Sequence, residues 1–324
     1  MSGLKGHDCS PLSDEFSHLK LTAMKNRGQR RKAHSKGRLM RDSDLRPLVE
    51  ATASRQLILF AGGGLSQSLG LPGFRTLIDH LIEDMGFESG QVHMADYPVI
   101  AEAYQVRHAQ LGALRSWMDT VWHPPGIEIK DSELHNLIVD LEFPVIYTTN
   151  YDRWLERIFE ARRKPFHKIT NVADLTVKKD GHTEIVKFHG DFDDDDSLVL
   201  TESSYFRRMM FDTPLDIRLR SDSLARPLLF LGYSLHDLNT RYLLFRLQEL
   251  WKNSPHAEQR PRSYILMTER AEAQEIVLRS RGVLPVSLEG DDRGRATASF
   301  LRELLAEVRN LRRARTEQVL SRTA

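Results

Sequence analysis

Short apolar runs alternate with longer segments of helical periodicity along the chain from residue 57 onwards. Six of these runs have the length and composition of buried strands: Leu57 to Ala61, Pro144 to Thr148, Ile185 to Phe188, Leu228 to Gly232, Ser263 to Met267 and Val283 to Leu288. Strands that are apolar on both faces, with helices between them, are typical of a parallel sheet covered by helices. The pattern therefore predicts an α/β fold built on a doubly wound, mostly parallel sheet.

The same pattern divides the chain into three parts: residues 1–46, residues 47–290 and residues 291–324. The first is polar with a basic stretch from Lys25 to Arg41, the second holds the predicted strands, and the third has the apolar spacing of an amphipathic helix. Between the first two strands, at about residues 76–141, we expect a mainly helical insertion. The first part is expected to be a solvated, partly disordered arm, and docking to an anionic partner or nucleic acid is the alternative.

Composition narrows the classes of function. With 40% apolar residues, 28% charged residues and a formal net charge of +1, the chain has no overall field that attracts nucleic acid or membranes. No apolar run approaches the roughly 20 residues that span a bilayer, and the N-terminus lacks the apolar core of a secretory signal, so we expect a cytoplasmic protein. The single cysteine, Cys9, excludes internal disulfides and a zinc site made of two CxxC pairs.

A glycine-rich loop follows the first predicted strand. Its candidate nucleotide-binding residues are Gly62, Gly63, Gly64, Ser66, Phe74 and Arg75. Glycines at a strand end let the backbone approach a pyrophosphate, and amides at the following helix start stabilise its negative charge. A tight turn, with Phe74 in the core, is the alternative. Dehydrogenases usually have G-x-G-x-x-G and an acidic residue about 20 positions later on a second strand. Gln67 and the helical pattern near Glu83 therefore disfavour a hydride-transferring enzyme.

Polar residues also follow the next three predicted strands. The candidates are Thr149, Asn150 and Asp152 after the second strand, His189 after the third, and Gly232, Ser234 and Asp237 after the fourth. Open α/β sheets bind ligands at this edge, where an asparagine amide can hold a water or a ribose hydroxyl and a histidine can accept a proton. Helix capping and a structural histidine are the alternatives. The aspartates from Asp193 to Asp196 are interpreted as a solvated turn, so no metal site is predicted.

The ordered set of motifs resembles the sirtuin family, and more closely its prokaryotic branch in antiphage defence, over about residues 57–250. The glycine loop is similar to the sirtuin G-A-G-x-S…G-I-P-D-F-R, with departures at Gly63 and Gly73. The later segments Thr148 to Asp152, His189-Gly190 and Gly232-Tyr233-Ser234 resemble T-Q-N-x-D, the catalytic His-Gly and G-x-S. The resemblance implies a Rossmann-like NAD-binding domain in which Asn150 and His189 are catalytic and Asp152 is the acid on the ribose side.

One departure from the family affects the expected reaction. Sirtuin deacylases hold a zinc module with two CxxC pairs after His-Gly, and this chain has no cysteine there. The resemblance therefore implies an NAD+ hydrolase without zinc, whose substrate is NAD+ and whose partners are further copies of itself or a sensor or activator of the same defence system. An NAD-dependent deacylase or ADP-ribosyltransferase, and a non-catalytic subunit that senses NAD or ADP-ribose, stay open as alternatives.

Overall fold

A seven-stranded sheet forms the centre of the part of the chain that the structure describes. The computed structural model describes residues 42–88, 97–233, 238–252, 254–269, 271–290 and 292–323. It separates residues 1–46 from residues 47–324 as two units, and nearly all described residues belong to the second. The predicted basic arm lies outside the described residues, so its role stays a prediction.

All neighbouring strands of the sheet run parallel. The strands are β1 (Ile58–Ala61), β2 (Val145–Thr148), β3 (Phe166–Ile169), β4 (Thr183–Lys187), β5 (Leu228–Leu231), β6 (Ser263–Met267) and β7 (Val283–Ser287). Their order is β3-β4-β2-β1-β5-β6-β7. Because β2 and β5 lie on opposite sides of β1, the strand order changes direction there. The predicted doubly wound, Rossmann-like sheet is confirmed.

Helices connect the strands and cover both faces of the sheet. They are α1 (Arg46–Ala53), α2 (Gly64–Gln67), α3 (Phe74–Met85), α4 (Tyr97–His108), α5 (Gly112–Trp122), α6 (Glu133–Asp140), α7 (Trp154–Ala161), α8 (Val172–Leu175), α9 (Glu202–Met210), α10 (Pro214–Ala225), α11 (Leu238–Glu249), α12 (Glu272–Ser280) and α13 (Arg293–Thr323). The long α13 packs against α6, which also contacts α7. The helices from α3 to α6 occupy the stretch between β1 and β2, where the insertion was predicted.

Alternate residues of the strands point to opposite faces of the sheet. One face carries Phe60, Tyr147 and Phe230, which are fully buried in a core with leucines of α10 and α11. The other face carries Lys187, whose ammonium is 3.4 Å from the carboxylate of Glu156 in α7. Burial on both faces explains why these strands are continuous apolar runs rather than alternating ones.

The helical insertion has its own apolar core. Residues of α3, α4 and α5 pack there with Phe192, Leu198 and Leu200, which come from the segment after β4. The insertion is therefore tied to the segment that follows His189 as well as to the strands on either side of it. This arrangement places insertion residues beside the carboxyl ends of the central strands.

The edge strand β3 was not predicted from the sequence pattern. Its residues alternate between half-buried and buried positions, and the buried side chain of His167 interrupts the apolar pattern. β3 pairs with β4 alone at one edge of the sheet. The other edge strand, β7, is buried along most of its length and was predicted, so the half-buried positions of β3 account for its missing apolar run.

Candidate active site

A cavity of about 1400 Å³ lies at the carboxyl ends of β1, β2, β4 and β5. The strand ends contribute Gly63, Gly64, Thr149, Asn150, Asp152, His189 and Gly232 to its lining, and the insertion contributes Phe74, Tyr97 and Trp122. The cavity lies where the strand order changes direction, which is the usual ligand site of an open α/β sheet. Its volume exceeds the roughly 300–1000 Å³ of most ligand pockets, so it has room for a dinucleotide.

The glycine loop packs directly on the end of β5. A Cβ on Gly64 would lie 2.8 Å from Cα of Gly232, and a Cβ on Gly62 would lie 2.8 Å from the ring of Tyr233. The backbone N–H of Gly64 donates to the carbonyl of Gly232 at 2.9 Å. Gly232 has φ +76°, in the left-handed region that favours glycine. The close approach of two backbones explains the glycines on both sides.

Ser66, Asn150 and Asp152 form a hydrogen-bonded group at the ends of β1 and β2. The Asn150 amide donates through Nδ2 to Oγ of Ser66 at 2.8 Å and to the carbonyl of Gly62 at 3.2 Å. The Ser66 hydroxyl in turn donates to Oδ2 of Asp152 at 2.5 Å. Asp152 also accepts a hydrogen bond from the backbone N–H of Trp154 at 3.2 Å. It therefore also stabilises the start of α7, the capping role given above as the alternative. The three polar residues therefore act as one unit.

Tyr233 joins three of the strand ends. Its hydroxyl is 2.9 Å from Oγ1 of Thr149 and donates to the carbonyl of Ala61 at 3.1 Å. These bonds hold the loop after β2 to the end of β1 from the side of β5. Tyr233 lies within the segment that resembles G-x-S, but the sequence does not reveal its bridging role, because its hydrogen-bond partners are far away in sequence.

His189 lines the cavity as a half-buried side chain. Its ring meets Tyr205 edge-on, with centroids 6.0 Å apart, and lies near the guanidinium of Arg208, which packs 3.6 Å from the centroid of Phe188. Burial, with a smaller contribution from the charge of Arg208, lowers the pKa of His189 to about 3. The imidazole is therefore neutral at physiological pH, with a lone pair on one ring nitrogen.

A buried cation supports the loop after β2 from beneath. Lys187 is fully buried, and its ammonium donates to the carbonyls of Asp152 at 2.5 Å and Tyr151 at 3.2 Å. The carboxylates of Glu156 and Asp191 lie 3.4 Å and 3.5 Å from the same nitrogen. Burial raises the pKa of Glu156, and the neighbouring Lys187 opposes that shift. A lysine inside an otherwise apolar strand was the sequence signal for such a group.

The structure brings together most of the residues predicted from the sequence. Gly63, Gly64, Ser66, Phe74, Thr149, Asn150, Asp152, His189 and Gly232 all line the one cavity. Gly62 contributes its carbonyl to Asn150 and is not part of the lining. Arg75 is not brought to the cavity, because its side chain is 71% exposed and pairs with Asp79 at 3.4 Å. Ser234 and Asp237 lie outside the described residues.

The described ranges contain neither a candidate metal centre nor a candidate membrane span. No group of three or more histidine, cysteine, aspartate or glutamate residues in those ranges is arranged to hold a metal ion. No helix in the same part of the chain has the length and apolar character needed to cross a membrane.

Comparison with protein families identifies the class of domain. Residues 144–286 match the family model described as a SIR2-like domain. This range contains Asn150, Asp152, His189 and Gly232, and it begins after the glycine loop. The resemblance to the sirtuin family that the motifs predicted is confirmed.

Individual relatives narrow the resemblance. The chain is 30% identical over 198 residues to the NAD(+) hydrolase ThsA of Enterococcus faecium, which is 60% of this chain and 40% of that protein. It is 27% identical over 206 residues to the NAD(+) hydrolase ThsA of Acinetobacter baumannii (strain 532279), 62% of this chain and 41% of the relative. It is also 24% identical over 224 residues to the Defense-associated sirtuin 2 of Bacillus subtilis, and this match covers 65% of this chain and 21% of that protein. The chain thus spans about two fifths of the length of the NAD(+) hydrolases.

Proposed function

We propose that this chain hydrolyses NAD+ at the bond between nicotinamide and ribose, giving nicotinamide and ADP-ribose. The observation that carries the proposal is the shared cavity, where an asparagine amide and a neutral histidine lie beside a glycine loop at the ligand edge of the sheet. The names of the relatives support the same reaction, since two of them are NAD(+) hydrolases.

The glycine loop supplies the site for the pyrophosphate in this proposal. Gly63 and Gly64 line the cavity, and Gly63 directly precedes the start of α2. A glycine loop before a helix lets the backbone approach a phosphate group closely. Phe74 and Tyr97, whose ring centroids are 4.4 Å apart, form an apolar wall of the same cavity for the nicotinamide end.

Cleavage requires positioning more than a strong nucleophile. When the C1′–N1 bond breaks, its electron pair moves to nicotinamide, which becomes neutral, and the ribose acquires oxocarbenium character. The Nδ2 amine of Asn150 donates its hydrogen bonds to the carbonyl of Gly62 and the hydroxyl of Ser66. Oδ1 of Asn150 is therefore the atom that orients the attacking water or a ribose hydroxyl. Asp152 and Ser66 hold the ribose side of the site. Fixed dipoles of this kind stabilise charge that develops in the transition state.

His189 takes the proton that the reaction releases. Water adds its oxygen to C1′ and loses one proton, and the neutral imidazole accepts that proton directly or through a ribose hydroxyl. The single cysteine of the chain cannot form the zinc module with four cysteines that deacylases have, which favours water over an acyl-lysine as the acceptor. Zinc is therefore not part of the proposed mechanism.

We propose further that the reaction depletes NAD+ during antiphage defence. The name of the Bacillus subtilis relative refers to defence. The matched segment is 21% of that relative, which is therefore about five times as long as the segment. A homo-oligomer, or a sensor or activator protein of the same system, is the partner that this role requires. NAD+ and water are the only small molecules that the proposed reaction consumes.

The deciding experiment measures release of nicotinamide from NAD+ by chromatography for the wild type, Asn150→Ala and His189→Ala. Each substitution is expected to lower kcat by at least about 100-fold, the lower range for loss of an acid–base group or a positioning amide. Asn136→Ala and His135→Gln are matched controls, because both residues lie on α6 outside the cavity lining.

Three results would overturn the proposal. Equal rates for the wild type and both cavity variants would remove the assigned roles. O-acyl-ADP-ribose formed from an acylated peptide would identify a deacylase instead. Tight binding of ADP-ribose by a wild type that never releases nicotinamide, alone or with the proteins encoded beside it, would identify a sensing subunit.

A further inference from the structure

The end of helix α5 is hydrogen-bonded to the loop that carries Asn150 and Asp152. The backbone N–H of Arg153 donates to Nε2 of His123 at 2.8 Å. On the other side of the same ring, Nδ1 of His123 lies 2.6 Å from Oδ1 of Asp119. The His123 side chain is 5% exposed, so the contact is shielded from water. A side chain of the insertion thus satisfies a backbone donor one residue after Asp152.

Three further hydrogen bonds join the same segments. The Arg153 guanidinium donates to both carboxylate oxygens of Asp119, at 2.6 Å and 2.7 Å. The indole N–H of Trp154 donates to the carbonyl of Trp122 at 2.8 Å. The loop after β2 is therefore fastened to α5 at two consecutive residues, by backbone and side-chain bonds together. These bonds are separate from the one that Asp152, which precedes α7, accepts from the backbone N–H of Trp154.

The two ring nitrogens of His123 have different hydrogen-bonding roles. Nδ1–H of His123 donates a hydrogen bond to Asp119, so Nε2 carries a lone pair and can accept from the N–H of Arg153. Burial, followed by the charge of Arg157, lowers the pKa of His123, and the neutral form that accepts this bond is favoured. The ring also packs against Trp154 and Phe192, with centroids 5.7 Å and 6.0 Å away. Its position is fixed from several sides.

We propose that His123, oriented by Asp119, is a positioning residue that sets the Asn150–Asp152 loop for cleavage of the glycosidic bond. The inference rests on the proposed NAD+ hydrolysis. His123 lies outside the cavity lining, so it acts through the backbone of Arg153 and not on the substrate. Through it, the placement of the helical insertion controls the geometry of the reacting groups.

The test compares three substitutions of His123 in the full-length chain. In His123→Gln the amide oxygen reaches the place of Nε2 and can accept from Arg153. In His123→Asn the shorter amide reaches only the place of Nδ1, keeps a bond to Asp119 and loses Arg153. His123→Ala loses both bonds. His135→Gln is the matched control, because His135 is another buried histidine whose Nδ1 bonds to a side chain, that of Ser132 at the start of α6.

We expect kcat for nicotinamide release to fall about 10- to 100-fold in His123→Asn and His123→Ala, the range for a small displacement of reacting groups. KM should change little, because the phosphate cradle is untouched. His123→Gln should recover most of kcat, and the control should keep wild-type values. Thermal unfolding of each variant separates lost folding from lost positioning. If His123→Ala does not fold, the Gln and Asn pair still decides the question.

Equal kcat for the Gln and Asn variants, or a loss explained fully by a smaller folded fraction, would overturn the positioning role. These outcomes are distinct from failure of the proposed function. If the wild type releases no nicotinamide under any condition, the hydrolase proposal fails before any variant is compared. If the wild type is active and His123→Asn equals it, only the inference about His123 fails.

Discussion

Two neighbouring glycines in the loop after β1 make the sharpest test of the structure, because the same substitution has opposite consequences at each. A Cβ on Gly64 would lie 2.8 Å from Cα and 3.1 Å from the carbonyl oxygen of Gly232. Both contacts are with backbone, so the end of β5 or the loop must move. A Cβ on Gly63 would meet nothing within 4 Å, and its φ of −57° and ψ of −27° suit any residue.

The magnitudes follow from these contacts. Gly64→Ala forces an overpacked contact, which costs about 1–3 kcal/mol of unfolding free energy. Gly63→Ala restricts the unfolded chain without native strain, which adds about 0.4–1 kcal/mol. The two variants should therefore differ by about 1.4–4 kcal/mol in urea denaturation at equilibrium.

Activity should follow the same division. Moving Gly64 away from Gly232 breaks their 2.9 Å hydrogen bond and widens the proposed phosphate cradle. We expect kcat/KM for NAD+ to fall by about tenfold or more in Gly64→Ala. Gly63→Ala should stay near the wild type, since the sirtuin loop that this one resembles has alanine at that place. If both variants have the same stability and rate, the packing of the loop on β5 described above is incorrect.

Three further predictions concern groups that support the site or the fold. Tyr233→Phe removes the hydrogen bonds to Thr149 and Ala61 and should lower the free energy of unfolding by about 1–3 kcal/mol, measured by urea denaturation. An unchanged midpoint would contradict the bridging role of Tyr233. Lys187→Met leaves Glu156 without its buried cation and Asp191 with Lys168 alone, and it should cost about 3–5 kcal/mol of unfolding free energy, with partial recovery on adding Glu156→Gln. Burial lowers the pKa of His135 to about 4 from an ordinary 6.5, so stability is complete above pH 6.5. About 3 kcal/mol is lost as the pH falls towards 4, because only the unfolded chain takes up the proton in that window. In His135→Gln the loss of stability over this window should be smaller by about 3 kcal/mol, while His189, whose pKa is also lowered, still contributes.

Buried strands were the part of the fold that the sequence revealed best. An apolar run such as Leu228 to Leu231 records burial on both faces of the sheet. The edge strand β3 carries no such record, since half of its residues are partly exposed, whereas the other edge strand, β7, is buried and was predicted. Partial exposure relaxes the demand for apolar residues, and the pattern becomes indistinguishable from a loop.

The candidate site was predictable where function depends on residues next to a strand end. Asn150, His189 and Gly232 each follow a buried strand, so parallel order alone brings them to one edge. Arg75 shows the limit of that reasoning, because a helix position does not determine which way its side chain turns. His123 shows another limit, since 30 residues separate it from Arg153 and no local pattern marks the contact.

The direction of the hydrogen bonds at Ser66 determines which atom of Asn150 is left for chemistry. A hydroxyl can donate only one hydrogen bond, and Ser66 donates it to the Asp152 carboxylate. A lone pair of Ser66 Oγ therefore faces Nδ2 of Asn150. The carbonyl of Gly62 also faces Nδ2, and an amide turned the other way would place its oxygen against two acceptors. Oδ1 therefore remains available as an acceptor. An acceptor beside C1′ aligns a water with its own lone pair towards the ribose, which is the orientation that hydrolysis requires.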